Sequence, residues 1–337
     1  MTSPPVHPTV RLAVRDWDHL TPVFNGQLRA AGGPVLEVQA RATTPDVLDE
    51  PGLDGGETSF SRYVRARGLG DDRLIGLPVF VMRGFRHRCV LVRRDSGHTA
   101  PEDLEGARVG LTGWPDSGNT WTRAVLREEG LDLGSVHWTV APLTADEGAK
   151  DRVGALPLPA NVRAAPPGET LVDALTDGRL DAVLTPFMPP GFFGRDSPLR
   201  HLYPDFRAAE RAYFASTGFV PGIHLITLKR GVVERHPELP RLVLDTFELS
   251  KRHWLERRRM LADTAPWVLA ELEETARTFD GDWMPYGTAD NAAMTAAFCT
   301  ELHAQGITPE RVDPESVFAD FERYGLAAAG ATTRGGE

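Results

Sequence analysis

The sequence predicts an α/β protein of two lobes with a central ligand cleft, on three observations. Strand-like apolar runs alternate with segments of helical periodicity, the pattern of mostly parallel sheets. A length of 337 residues is too great for one ordinary core. The middle of the chain, about 101–219, contains a complete set of strand–helix–strand units, so the outer pieces must pack on each other. Two lobes joined by two crossings leave a cleft, where small ligands usually bind.

Short apolar or alternating runs bounded by turn residues predict the strands. In chain order these are 11–14, 35–40, 76–82, 89–92, 107–111, 137–140, 180–184 and 223–228. Apolar residues at helical spacing predict helices over 20–28, 58–67, 120–130, 170–176, 239–259, 266–278 and 289–305. The Pro- and Ala-rich stretch 141–167 is predicted to be mostly loop. One lobe is predicted from residues 1–97 and 220–337, with the C-terminal helices, and the other from 98–219.

Composition indicates which partners the protein is expected to lack. Hydrophobic residues make up 41% and charged residues 25%, as in soluble globular proteins. The net charge of -10 argues against nucleic-acid binding. The N-terminal residues lack the basic start and apolar core of a secretion signal, and no apolar run approaches membrane-spanning length, so a cytoplasmic protein without a membrane partner is predicted. The long C-terminal helical region is compatible with a homo-oligomer.

The segment 83–87 sets two guanidiniums and an imidazole between two apolar runs. Buried charges are costly unless an anionic partner meets them, and Arg suits a planar carboxylate. The alternative is a turn whose arginines point into water. Strand alternation would place Arg83 and Arg86 on opposite faces, so one of them is expected to reach a ligand. Arg83 is favoured, because Arg86 neighbours Arg88 and is expected to face solvent.

Longer matches add a family resemblance. The segments 103–110 and 175–183 resemble parts of the second lobe of type II periplasmic-binding-protein folds. The chain more specifically resembles the 4,5-dihydroxyphthalate decarboxylase family. The segments that match, in family order, are 57–61, 78–80, 83–87, 95–97, 202–207, 217–224, 234–237 and 283–287. The loops 114–118 and 186–188 depart from the family pattern.

The resemblance implies a decarboxylase that acts on a hydroxylated aromatic or related cyclic carboxylic acid without an organic cofactor. In such an enzyme an Arg would clamp a substrate carboxylate and a His would donate a proton to the ring carbon. The departing loops keep two alternatives open. One is a different lyase or cyclase on the same fold, since a fold alone fixes no reaction. The other is a cytoplasmic protein that binds an aromatic acid without catalysis.

His87 is the first choice for the proton donor, because an imidazole can titrate near neutrality. The alternative for His87 is a packing histidine. His224, at the start of an apolar strand, is a second candidate acid or ligand, although a histidine there is more often structural. Glu57 could accept a hydroxyl proton, or it could be an acid at a helix N-terminus.

The remaining candidates would bind substrate. Asp16 and Asp18 follow the first strand, where α/β folds place ligand groups. Free N–H groups at the helix opened by Ser117, Gly118 and Asn119 suit an anion, although ordinary capping is common there. Trp114 and Phe192 could cover an aromatic ring or pack the lobe.

Metal and redox sites are not expected. Asp18 with His19 makes two adjacent ligands and no metal site. Cys89 and Cys299 show neither metal nor disulfide spacing and are expected to be buried thiols.

Overall fold

The structure is a computed structural model that describes residues 8–28, 34–147 and 156–332. The strands are β1 Thr9–Arg15, β2 Val35–Arg41, β3 Gly55–Ser59, β4 Leu74–Gly76, β5 Met82–Arg83, β6 Val90–Arg93, β7 Arg108–Leu111, β8 His137–Val140, β9 Val162–Ala164, β10 Ala182–Leu184, β11 Leu199–His201 and β12 Gly222–Lys229. The α-helices are α1 Thr21–Phe24, α2 Phe60–Gly68, α3 Ser117–Glu128, α4 Leu171–Thr176, α5 Phe206–Thr217, α6 Arg230–Arg235, α7 Leu239–Met260, α8 Val268–Thr278, α9 Ala292–Ala304, α10 Pro314–Val317 and α11 Ala319–Thr332. Short 3-10 turns include Asp18–Leu20, His87–Cys89 and Ala262–Thr264.

The chain divides into two compact units. Unit 1 contains Met1–Arg83, Gly222–Ala296 and Val312–Glu337, and unit 2 contains Gly84–Pro221 and Ala297–Arg311. In unit 1 the sheet has the strand order β2-β1-β3-β12-β4, and β5 also pairs with β12. β1 is parallel to β2 and β3, whereas β12 is antiparallel to β3, β4 and β5. The carboxyl ends of β1 and β3 and the amino end of β12 therefore meet at one edge.

Unit 2 is built on a sheet of order β11-β6-β10-β7-β8-β9. β6 runs antiparallel to β10 and β11, and β10, β7, β8 and β9 are parallel. The helix α3 follows β7 and carries a buried apolar side, with Trp121 stacked on Phe298 at a ring-centroid distance of 4.9 Å.

The boundaries between the two units differ from the lobe boundaries predicted from sequence. The division falls at 83/84 rather than 97/98, because β6 pairs with β10 and β11 in the sheet of unit 2. Residues 297–311 belong to unit 2, where Gln305 accepts a hydrogen bond from Arg123 Nε at 2.8 Å. Both differences come from pairings between segments far apart in sequence.

Several elements also differ from the sequence predictions. The apolar run 76–82 is buried as far as Val81, but regular pairing stops at Gly76 and resumes at Met82, with Pro78 in the interruption. The helix α3 begins at Ser117 rather than Thr120. The predicted loop 141–167 contains the strand β9, and its residues 148–155 lie outside the described part of the chain.

Candidate active site

Glu57 and His224 form a hydrogen-bonded pair in unit 1. In the antiparallel register His224 lies opposite Ser59, and Glu57 lies opposite Ile226. The two side chains are therefore diagonal neighbours on one face of adjacent strands. The imidazole Nδ1 lies 2.5 Å from Glu57 Oε1. A carboxylate at this distance fixes both the tautomer and the orientation of the ring.

Three donors hold the Glu57 carboxylate. Its side chain is fully buried, and Oε2 accepts hydrogen bonds from the Arg15 backbone N–H at 2.8 Å and from Trp17 Nε1 at 2.9 Å. Burial alone would raise the pKa of Glu57, but the hydrogen bond and charge of His224, with the two N–H donors, hold that pKa below its usual value. Glu57 is therefore a carboxylate that orients His224. It lies within β3 and not at a helix N-terminus.

The other ring nitrogen of His224 remains open. The side chain is 16% exposed, and no described residue bonds to Nε2. A buried carboxylate on Nδ1 and a free Nε2 give the arrangement by which a histidine transfers protons.

Arg83 also belongs to unit 1, and it bonds to protein. Its Nη2 donates to the Pro285 carbonyl at 2.9 Å and to Asn291 Oδ1, and the guanidinium lies over the Phe80 ring at 4.8 Å. Burial lowers the pKa of Arg83 to about 10. These contacts tie the segment 285–291 to β5, so Arg83 has a structural task.

Arg86, in unit 2, is buried and not solvent-facing, contrary to the sequence prediction. It is 1% exposed, its Nε donates to Thr122 Oγ1 at 3.2 Å, and its Nη2 has no hydrogen-bond partner among the described residues. Burial lowers the pKa of this guanidinium. The alternation argument fails because the chain leaves β5 at Arg83 and enters the 3-10 turn His87–Cys89.

The Arg86 guanidinium, with its unpartnered Nη2, lies against the N-terminal turn of α3. A Cβ on Gly118 would be 2.8 Å from Nη2 and 3.2 Å from Cζ, so only glycine leaves room for this contact. The first N–H groups of a helix have no intrahelical acceptors and carry partial positive charge. A buried cation and a helix N-terminus together form a site for an anion. We name Arg86 with the turn Ser117–Gly118 the anion cradle.

Known proteins resemble this chain over nearly its whole length. No family model matches it. A 4,5-dihydroxyphthalate decarboxylase from Comamonas testosteroni is 30% identical over 322 residues, which are 91% of this chain and 95% of that protein. The chain belongs to the 4,5-dihydroxyphthalate decarboxylase family. A second relative with the same name, from Pseudomonas putida, is 28% identical over 62% of this chain and 82% of its own length. The predicted enzyme class, a decarboxylase, is thereby confirmed.

Solved structures show the fold of this decarboxylase family member. The periplasmic aliphatic sulphonate binding protein SsuA from Escherichia coli matches with a TM-score of 0.55 at 15% identity, over 92% of this chain and 97% of SsuA. The desulfurization enzyme DSZB matches with a TM-score of 0.51 at 15% identity, over 96% of this chain and all of that one. The predicted periplasmic-binding-protein-like fold is confirmed.

His87 in this decarboxylase family member is fully buried in unit 2. Its ring lies edge-on to Tyr203 and Tyr213, at centroid distances of 5.2 and 5.6 Å. Nε2 lies 3.2 Å from Glu129 Oε1, without the alignment of a hydrogen bond, and Glu129 also accepts from the Tyr203 hydroxyl at 2.5 Å. This environment suits a packing histidine, and neither ring nitrogen has a hydrogen-bond partner among the described residues.

Two further candidates near α3 serve the protein's own packing. Asn119 donates to the Gly113 carbonyl at 3.0 Å and to Thr112 Oγ1 at 3.2 Å, so it braces the loop before α3. Trp114 is buried, donates from Nε1 to the Gln305 carbonyl, and lies under the Arg123 guanidinium at 3.8 Å. The Trp114 ring packs within unit 2, which agrees with the second of the two alternatives left open by the sequence.

The other sequence candidates are more exposed. Phe192 is partly buried and meets the His201 ring edge-on at 5.1 Å. Asp16 and Asp18 are exposed, and Asp18 forms an ion pair with Arg258 at 3.6 Å. Trp17, between the two aspartates, turns inward to Glu57 instead. Trp17 was not among the residues predicted from sequence, although alternation after β1 would have placed it opposite its two neighbours.

No metal centre is found within the described ranges, where no group of three or more His, Cys, Asp or Glu could hold an ion. In those same ranges no helix is long and apolar enough to cross a membrane. Cys89 and Cys299 are buried and are not joined by a disulfide, as predicted.

Proposed function

We propose that this chain decarboxylates a hydroxylated aromatic dicarboxylic acid, with 4,5-dihydroxyphthalate as the first substrate to test. Family membership supports decarboxylation as the reaction and an aromatic acid as the substrate. The observation that carries the mechanism is the Glu57–His224 pair, with its open Nε2. Cytoplasmic location and independence of an organic cofactor are parts of the same proposal.

His224 is the proton donor in this mechanism. Its Nε2–H passes a proton to the ring carbon that bears the leaving carboxylate, while the ring hydroxyls push electron density towards that carbon. The carbon–carbon bond then breaks, its electron pair returns to the ring, and CO2 leaves. Glu57 stabilises the positive charge on the imidazole before the transfer.

Within unit 2, Arg86 and the anion cradle are suited to bind a carboxylate, and the carboxylate that the product retains is the better candidate. The leaving carboxylate loses its charge as CO2 forms, so a cation bound to it would stabilise the ground state more than the transition state and slow the reaction. A clamp on the retained carboxylate carries no such penalty and positions the ring. Nη2 of Arg86 is buried and has no hydrogen-bond partner among the described residues, which supports this role.

The direct test is to incubate the purified protein with 4,5-dihydroxyphthalate and to measure CO2 and the monocarboxylic product. Release of one CO2 per substrate without added cofactor is expected. Tight binding of an unchanged acid over hours would instead favour a binding protein on this fold. Turnover of other cyclic acids but not of this one would favour a different lyase.

Glu57→Gln is expected to lower kcat about 10²-fold with KM nearly unchanged, because the amide keeps the shape of the side chain but removes the charge that stabilises the His224 imidazolium. Steady-state kinetics of the purified variant measure this. Glu37→Gln, at an exposed carboxylate of β2, is the matched control and should retain full activity. An equal rise in KM with unchanged kcat would assign Glu57 to substrate binding.

Gly118→Ala is expected to raise the KM about tenfold, because the added Cβ displaces the Arg86 guanidinium from the cradle. Thermal stability should change little, because the displaced atoms lie at the far end of the flexible Arg86 side chain. Gly97→Ala is the control, as no atom lies within 4 Å of its Cβ position. Equal kinetic constants for both variants would argue against the cradle.

A further inference from the structure

A row of accessible side chains crosses the sheet of unit 1 at His224. In the antiparallel register, His224 lies directly opposite Ser59 of β3 on one side and Met82 of β5 on the other. Directly paired residues point to the same face of a sheet, with Cβ atoms about 5 Å apart. In β3 only Ser59 is not buried, and between Gly222 and Leu228 of β12 only His224 is not buried. These stretches of β3 and β12 are therefore accessible at one cross-strand pair, which includes the proposed proton donor.

Ser59 is also the N-cap residue of α2, but its side chain makes no capping hydrogen bond. A serine at an N-cap normally turns its oxygen to the backbone N–H groups of the first turn, which stabilises the helix. The Ser59 hydroxyl lies instead 3.1 Å from the hydroxyl of Ser61, which is buried. Because a hydroxyl has one donor and two acceptor positions, a bond to Ser61 in either direction does not use up the acceptor positions of Ser59 Oγ.

Ser59 differs in chemistry from the other neighbours of His224 on this face of the sheet. Met82 and Ile226 are apolar and offer no strong hydrogen bond to a hydroxyl. The Glu57 carboxylate, which the sequence suggested as an acceptor of a hydroxyl proton, is already bonded to three protein groups. Of these four neighbours, Ser59 therefore carries the group best suited to bind a ring hydroxyl beside the imidazole.

We propose that Ser59 binds the ring hydroxyl para to the leaving carboxylate and thereby selects hydroxylated aromatic acids. The assignment rests on the proposed function, in which His224 protonates the carbon that bears this carboxylate. 4,5-Dihydroxyphthalate carries a hydroxyl para to each of its carboxylates. As the ring carbon gains the proton, positive charge spreads to the para oxygen and makes its O–H a stronger donor. The hydrogen bond to Ser59 Oγ therefore strengthens as the transition state forms, which lowers the barrier.

Calorimetric binding of two monocarboxylic acids tests this contact separately from turnover. 3,4-Dihydroxybenzoate is the product of the proposed reaction, and 4-hydroxybenzoate lacks only the hydroxyl para to the carbon that loses CO2. The wild-type chain should bind 3,4-dihydroxybenzoate about tenfold more tightly than 4-hydroxybenzoate, the contribution of one hydrogen bond. Ser59→Ala should bind the two acids equally, through weaker binding of 3,4-dihydroxybenzoate alone. Ser59→Thr keeps the hydroxyl and should keep the preference.

Thr58→Val is the matched control. Thr58 precedes Ser59 in β3, so its hydroxyl faces the other side of the sheet, where it lies 2.8 Å from Thr227 Oγ1. Thr227 still donates to the Gly56 carbonyl in this variant, which should keep the wild-type preference. Equal binding of both acids by the wild type, or a preference that survives in Ser59→Ala, overturns the role of Ser59. A wild type that shows the preference but releases no CO2 from 4,5-dihydroxyphthalate would overturn the proposed reaction and not the contact.

Discussion

His224→Asn is expected to lower the kcat for decarboxylation by about 10²- to 10⁴-fold, the range that a positioned general acid contributes. The KM should change little, because the proposed mechanism assigns His224 to the proton transfer and not to substrate binding. The substitution removes Nε2 but keeps a polar group near Glu57, which limits the structural disturbance of β12. Single-turnover measurements of product formation separate the chemical step from product release.

His87→Asn is the matched control for this experiment. His87 is fully buried between two tyrosine rings and a glutamate in unit 2, so its replacement should lower thermal stability and leave the chemical rate within a few fold. The reverse result, a collapse of kcat in His87→Asn and normal chemistry in His224→Asn, would return the role of proton donor to the residue first favoured from sequence.

The preference for His87 shows how far the sequence alone can assign functional residues. The density of Arg and His in 83–87 marked a segment in which Arg86 and His87 prove to be buried, and buried charges need a partner or a function. Their individual positions depend on where β5 ends, and the chain leaves the strand after Arg83. From that point the period of two no longer applies, so alternation could not assign the faces of Arg86 and His87.

The Glu57–His224 pair illustrates a second limit. Both residues were candidates on their own, but 167 positions separate them, and only the register between β3 and β12 makes them diagonal neighbours. Strand order is a property of tertiary packing, so no local pattern could reveal this contact. The α/β class and most elements followed from periodicity, whereas the partner strands of β6 and the placement of 297–311 did not.

Arg86→Met is expected to raise the KM for 4,5-dihydroxyphthalate about 10²-fold or more, because the variant keeps a long side chain but loses the charge that we propose binds the retained carboxylate. The folded state should not lose stability. Arg86 is a buried cation whose Nη2 has no hydrogen-bond partner among the described residues. The charge of Glu210 acts on it, but no described carboxylate forms an ion pair with it, so its burial costs desolvation that is only partly offset. Thermal unfolding without ligand should occur at an equal or higher temperature in Arg86→Met.

Calorimetric binding of phthalate and benzoate separates charge recognition from packing. Both lack the ring hydroxyls, and phthalate carries a second carboxylate. The wild-type chain should prefer phthalate, and Arg86→Met should lose most of that preference while benzoate binding changes little. Thr122 Oγ1 still donates to the Gly118 carbonyl in the variant, so no buried donor is left without an acceptor when Arg86 is removed. A preference for phthalate that survives in Arg86→Met, or a variant that unfolds well below the wild type, would show that Arg86 is a structural residue and that the carboxylate binds elsewhere.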